Sequence, residues 1–135
     1  MTAAELNALA ERVEGMTAPT RSIFLEAFAA CYPKPPDFEL VWRDEKPKQP
    51  IYHAWANRWV TFRKLIDAEA WEQAAILLVP DGFTWSWTNK AGEEGPFAEC
   101  WGEPSGTFRH RDSFAASPAL ALTAAALRAL ATKGE

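Results

Sequence analysis

The chain has 135 residues, 48% of them apolar and 24% charged, with a net charge of −4. These values describe one globular domain large enough to bury a core, and the net charge argues against a general nucleic-acid binder. Two cysteines are too few for a disulfide scaffold. No run is long enough to cross a bilayer, so the expectation is a cytosolic protein with reduced thiols and no membrane partner.

The first fifteen residues, MTAAELNALAERVEG, carry acids and lack the apolar segment of a signal peptide. Thr2 and Glu5 have capping-box spacing, and Leu6, Leu9, Ala10, Val13 and Met16 follow at helical intervals to a C-capping Gly15. A second helix is predicted to begin near Thr17 to Pro19, with Ile23, Phe24, Ala27, Phe28 and Cys31 on its apolar face. Tyr32-Pro33 ends it, because the residue before proline avoids the helical region. The two helices read as a hairpin with a link of two to four residues.

Residues 33–50, PKPPDFELVWRDEKPKQP, hold five prolines and form a surface loop. Within it, residues 37–42 read as a short strand with Phe38, Leu40 and Trp42 on one side. Residues 51–66 carry two patterns. Ile51, Trp55, Trp59, Phe62 and Ile66 share one helical sector, while Trp59 to Phe62 also has strand chemistry. Helix is favoured, with a break at Asp67 and with Arg58, Arg63 and Lys64 at the polar edges.

Residues 68–87, AEAWEQAAILLVPDGFTWSW, pack a helix, a turn and a strand into twenty residues. Trp71, Ala74, Ala75 and Leu78 share a face, and Asp67 is placed as the N-cap. Pro80 stops the helix, Asp81-Gly82 turns the chain, and Phe83, Trp85 and Trp87 alternate with Thr84, Ser86 and Thr88. Residues 89–96 then form a hairpin loop and Phe97 to Trp101 the return strand. After a turn at residues 103–106, Thr107 to Arg111 is a third strand, so the three are antiparallel neighbours.

The last helix starts with Ser117 as cap and Pro118 at its first position. Leu120, Ala124, Leu127 and Leu130 lie on one side, and Leu122, Ala126 and Ala129 on the other. A helix apolar all round is buried on more than one side. The competing reading makes the Leu122 face a subunit or partner interface.

Little catalytic chemistry is legible. Cys31, His53, Cys100 and His110 match no zinc-site spacing, and no cofactor-binding glycine motif or nucleophile elbow is present. Cys31 lies on an apolar face, where thiols are inert, and the adjacent Glu93-Glu94 carboxylates read as solvated. No catalytic residue, metal ligand or cofactor is therefore assigned. Two groups are candidates for partner binding. One is aromatic, comprising Trp42, Tyr52, His53, Trp55 and Trp59, since such side chains bury large areas and keep a polar tip. The other is basic, comprising Arg58, Arg63, Arg109 and Arg111. For each there is a plainer reading: core packing for the aromatics, and for the arginines of the third strand a charge that discourages edge-to-edge aggregation.

DAEAWEQAAILLVPDGFTWSW, followed downstream by SPALALTAAALRALA, resembles the small phage and prophage proteins of the phage ABA sandwich family. LNALAERVEGMTAP at the N-terminus is similar too, and together these cover roughly half the chain. The resemblance implies a small antiparallel sheet of three to four strands sandwiched between helices, and a phage or prophage origin in a bacterium. It transfers no catalytic residues. Residues 33–60, rich in proline and tryptophan, depart from the family pattern as an insertion. The expectation is thus a single α+β domain over residues 1–135, with an N-terminal helical hairpin and a C-terminal Ala/Leu-rich helix. Its expected role is non-enzymatic binding of a host or phage protein, as a monomer or homodimer, most sharply as an inhibitor of bacterial defence of the anti-CRISPR type. A phage assembly accessory that oligomerises is the alternative, and a small enzyme with an unrecognised site is the minor one.

Overall fold

A computed structural model describes residues 1–43, 50–88 and 95–133. The fold is α+β, with an N-terminal pair of helices, an antiparallel sheet and a C-terminal helix packed on it. Helix α1 spans Ala3–Glu14 and begins with the capping box read from the sequence. Thr2 Oγ1 accepts from the Glu5 amide at 3.1 Å, and Glu5 Oε1 accepts from the Thr2 amide. Helix α2 spans Arg21–Cys31, with Thr20 as N-cap and Tyr32 as C-cap. The link between them runs over residues 15–20, longer than expected, because Thr20 rather than Thr17 supplies the cap. A bidentate Arg12–Glu26 pair at 2.9 and 3.1 Å joins the two helices.

Residues 37–42 do not form a strand. Helix α3 spans Phe38–Arg43, and the Phe38 and Trp42 rings stack one turn apart with centroids 5.4 Å from each other. The alternation of Phe38, Leu40 and Trp42 fits a strand, but Phe38 and Trp42 are also spaced i, i+4, and that pairing wins. Helix α4 spans Pro50–Asp67, which resolves residues 51–66 as helix and places its end where expected. Asp67, however, does not cap the next helix. Helix α5 spans Trp71–Leu78, and its N-cap position is Ala70, with no side-chain cap. Between the helices, the Ala70 amide donates to the Leu65 carbonyl and the Glu69 amide to that of Ile66. This is a Schellman closure with Glu69 left-handed at φ +57°. The closure takes three residues past Leu65 and Ile66, so Asp67 belongs to α4 and pairs instead with Arg21 at 3.2 Å and Arg63 at 3.7 Å.

Strands β1 (Phe83–Thr88), β2 (Phe97–Gly102) and β3 (Arg109–Phe114) form one sheet in the order β1-β2-β3. The third strand lies a little later than expected, since the turn before it extends to Phe108. Most of the hairpin loop predicted at residues 89–96, with Glu93 and Glu94, lies outside the described residues, as does 44–49 of the Pro-rich stretch. Gly102 lies against Gly82, and a Cβ on it would stand 2.1 Å from the Gly82 carbonyl oxygen. Gly82 itself is at φ +90°, so the turn into β1 and the end of β2 both need glycine.

Helix α6 spans Pro118–Thr132, capped by Ser117 Oγ accepting from the Leu120 amide. It lies between the sheet on one side and α1, α2 and α5 on the other, while α4 packs outside on α2 and α5. Leu120, Leu122, Ala126, Leu127 and Ala129 are all fully buried. The Leu122 face is therefore core, and the reading of it as an interface is overturned. Phe83, Trp85 and Trp87 are partly buried beneath this core, as their alternation implied. Cys31 and Cys100 are both free.

Candidate interaction surface

The aromatic surface is built where the end of α2, the Pro33–Pro36 segment, α3 and α4 meet. Phe28 on α2 is the buried anchor, with ring contacts to Tyr32, Trp55, Trp59 and Phe62 at 4.7–6.2 Å. Trp55 and Trp59, one turn apart on α4, stack at 5.9 Å with planes 15° apart. Phe38 of α3 meets Trp55 edge-on at 4.8 Å. These tryptophans are thus half core and half surface, so core packing accounts for part of the aromatic group.

Three side-chain hydrogen bonds fix the segment in place. Trp55 Nε1 donates to the Tyr32 carbonyl at 2.9 Å, and the Tyr52 hydroxyl donates to the Pro36 carbonyl at 3.1 Å. The Tyr32 hydroxyl donates to the Leu77 carbonyl at 2.7 Å. Prolines interrupt regular secondary structure here, and α4 side chains donate to the Tyr32 and Pro36 carbonyls. Proline also limits the freedom lost on ordering, which leaves the segment preorganised.

The result is a groove of about 360 Å³ between Pro33–Pro36 and α4, floored by Cys31, Ala54 and Trp55. Beyond it the apolar surface continues: Leu40 is 65% exposed, Ile51 60% and Trp42 41%. Two cations rim it. Lys34 Nζ lies 5.4 and 5.7 Å from the Phe38 and Trp55 ring centres and pairs with Glu39. Arg58 lies 4.3 Å over the Tyr32 ring and 3.8 Å from Asp81. Burial pushes the Tyr32 hydroxyl pKa up against the opposing pull of Arg58. The phenol stays neutral and remains a donor.

The structure brings Trp42, Tyr52, His53, Trp55, Trp59 and Arg58 together, with His53 edge-on to Trp42 at 5.4 Å. Arg63, on the same helix, is engaged with Asp67. Arg109 and Arg111 are elsewhere, on β3, which packs on β2 and α6. There the pleat places Arg109 and Arg111 opposite Gly102 and Cys100, on the sheet face toward α6, and turns His110 and Asp112 to the other face. The four arginines grouped from sequence are thus divided between α4 and β3. Tyr32 and Lys34 line the groove and Phe28 and Phe38 pack on its tryptophans, and none of the four was read from sequence as a site residue. The run Tyr32-Pro33-Lys34-Pro35-Pro36 beside an aromatic helix was the available signal.

Burial pushes both thiols up to about 12, so neither Cys31 nor Cys100 is an activated nucleophile. Among the described residues no group of His, Cys, Asp or Glu is arranged to hold a metal, and no helix is long and apolar enough to cross a membrane. Compared with known protein families, curated proteins and solved structures, the chain matches none.

Proposed function

We propose that the chain is a non-enzymatic binding protein of phage or prophage origin, acting in the cytoplasm of a bacterial host by occupying a protein surface. Its sharpest form is an inhibitor of bacterial defence of the anti-CRISPR type. The observation that carries the binding reading is the α3–α4 surface. Leu40, Trp42 and Ile51 stand in solvent beside a preorganised groove, although the chain already fills its core with other side chains. An apolar patch that folding does not require is explained by a partner. Support for the phage origin comes from the sequence resemblance, and the anti-defence role rests on that origin together with the absence of legible catalysis.

The assembly alternative drew on an all-apolar last helix available to a second subunit. α6 is enclosed by its own chain, and no surface observation favours that alternative.

The test pairs affinity capture with a plating assay. Expressed in hosts carrying active CRISPR defence, the wild-type chain raises the plating efficiency of a targeted phage and retains a specific host protein on capture. Ile51→Asp and Leu40→Asp, at exposed positions that leave folding intact, lose both. Folded variants that keep the captured partner would remove the α3–α4 surface from the reading. Capture that depends on Ile51 without any plating effect would leave a binding protein but end the anti-defence assignment.

A further inference from the structure

The sheet has a second face, turned away from α6, which packs on all three strands. On the outer side the register sets three rows across β2 and β3: Trp101 opposite His110, Glu99 opposite Asp112, and Phe97 opposite Phe114. Two aromatic rows thus bracket a row of carboxylates. The Phe97 and Phe114 rings are 4.9 Å apart, and Phe114, His110 and Asp112 are exposed.

Like charges directly across an antiparallel pair are unfavourable by a few tenths to about 1 kcal/mol. Glu99 takes hydrogen bonds from His110 Nε2 at 2.9 Å and Ser86 Oγ at 3.1 Å, and the bond to His110 lowers its pKa. Asp112 has no ion pair or hydrogen bond among the described residues. The chain therefore sets two carboxylates opposite each other, with one histidine bonded to Glu99, on a surface flanked by rings.

That combination fits one kind of cation best. A guanidinium is flat and weakly hydrated, so it stacks on an aromatic face while its edge donates to carboxylate oxygens. An ammonium satisfies the charge but not the stacking, and polyanions are repelled. We propose that the outer sheet face docks an arginine-bearing basic segment of a partner protein, with a guanidinium between Glu99 and Asp112 and against the neighbouring rings. This surface is independent of the α3–α4 groove, so either can fail without the other.

The test uses fluorescein-labelled nona-arginine and nona-lysine, read by fluorescence anisotropy at about physiological salt, where distant charges are screened. Wild type binds nona-arginine at least about threefold tighter than nona-lysine. Glu99→Gln with Asp112→Asn weakens nona-arginine about tenfold, and Phe114→Ala weakens it severalfold. Glu11→Gln with Glu72→Gln, an equal change of net charge at exposed helix positions, leaves it within about twofold. Asp112→Asn alone, at an exposed side chain that folding does not use, keeps the test open should Phe114→Ala unfold. Equal losses in the two double variants, equal affinity for the two peptides, or no binding would each overturn the proposal.

Discussion

Glu69 sits at φ +57°, a conformation that costs a residue with a Cβ about 1–2 kcal/mol. The Schellman hydrogen bonds at the end of α4 hold it there, and glycine is the residue that the position favours. Glu69→Gly removes that strain and returns part of the gain as unfolded-chain entropy, so it should stabilise by about 0.5–1 kcal/mol in chemical denaturation. Thr123 is a second such residue. It is fully buried in α6, and its hydroxyl has no partner. Thr123→Val keeps the shape and removes the orphan group, with an expected gain of about 1 kcal/mol. A loss on that substitution would mean that the hydroxyl finds a partner in solution. Neither feature was legible in sequence. Glu69 looks like an ordinary surface acid, and Thr123 like a tolerated polar residue in an alanine helix.

Among the elements, those whose signals are local read correctly. Thr2 with Glu5, Ser117 before Pro118, and the Pro80-Asp81-Gly82 turn each act within four residues, and each is where the pattern put it. α3 misled because Phe38, Leu40 and Trp42 satisfy a period of two, while the i, i+4 stack of Phe38 on Trp42 is backed by contacts from Phe38 to Trp55 and Tyr52 on another helix. Asp67 misled for a related reason: its charge is taken by Arg21, forty-six residues earlier. The groove was half legible, in its aromatics but not in the Tyr32 and Pro36 carbonyls that orient them. The Ser86–Glu99–His110 chain was invisible, because only strand register brings those three residues together. α6 offers a direct measurement of element burial. Leu122→Ala should cost about 2–5 kcal/mol on unfolding and leave the oligomeric state by light scattering unchanged. A face reserved for a second subunit would show the reverse.

Across the whole molecule, the sheet and the outer helices communicate through α6. Glu14 at the end of α1 ties that junction. Its carboxylate accepts from Arg128 of α6 at 2.5 Å and from Ser113 of β3 at 2.5 Å, and the Arg128–Glu14 pair is only about a quarter exposed, at 23% and 24%. The acid response of the fold has a separate handle in Glu99. Its pKa is lowered from 4.5 in the folded chain, chiefly by the hydrogen bond from His110. A depressed carboxylate contributes stability above its unfolded pKa and loses it as pH falls through the folded value. Between about pH 5 and about pH 3, wild type should therefore lose more stability than Glu99→Gln, measured by denaturation at each pH. Parallel acid limbs would show that the His110 contact is not made in solution.

The Glu14–Arg128 link spans 114 residues of chain, and most of α6's neighbours come from far upstream. Closing such distant contacts is slow, because chain entropy is lost before the contacts form. Refolding should accordingly wait on α6 finding its place. Substitutions at Leu120 or Leu127 should slow refolding, whereas those at Leu40 or Ile51 should leave the refolding rate untouched. The chain's rate-limiting event is then the threading of one alanine-rich rod between the sheet and the outer helices.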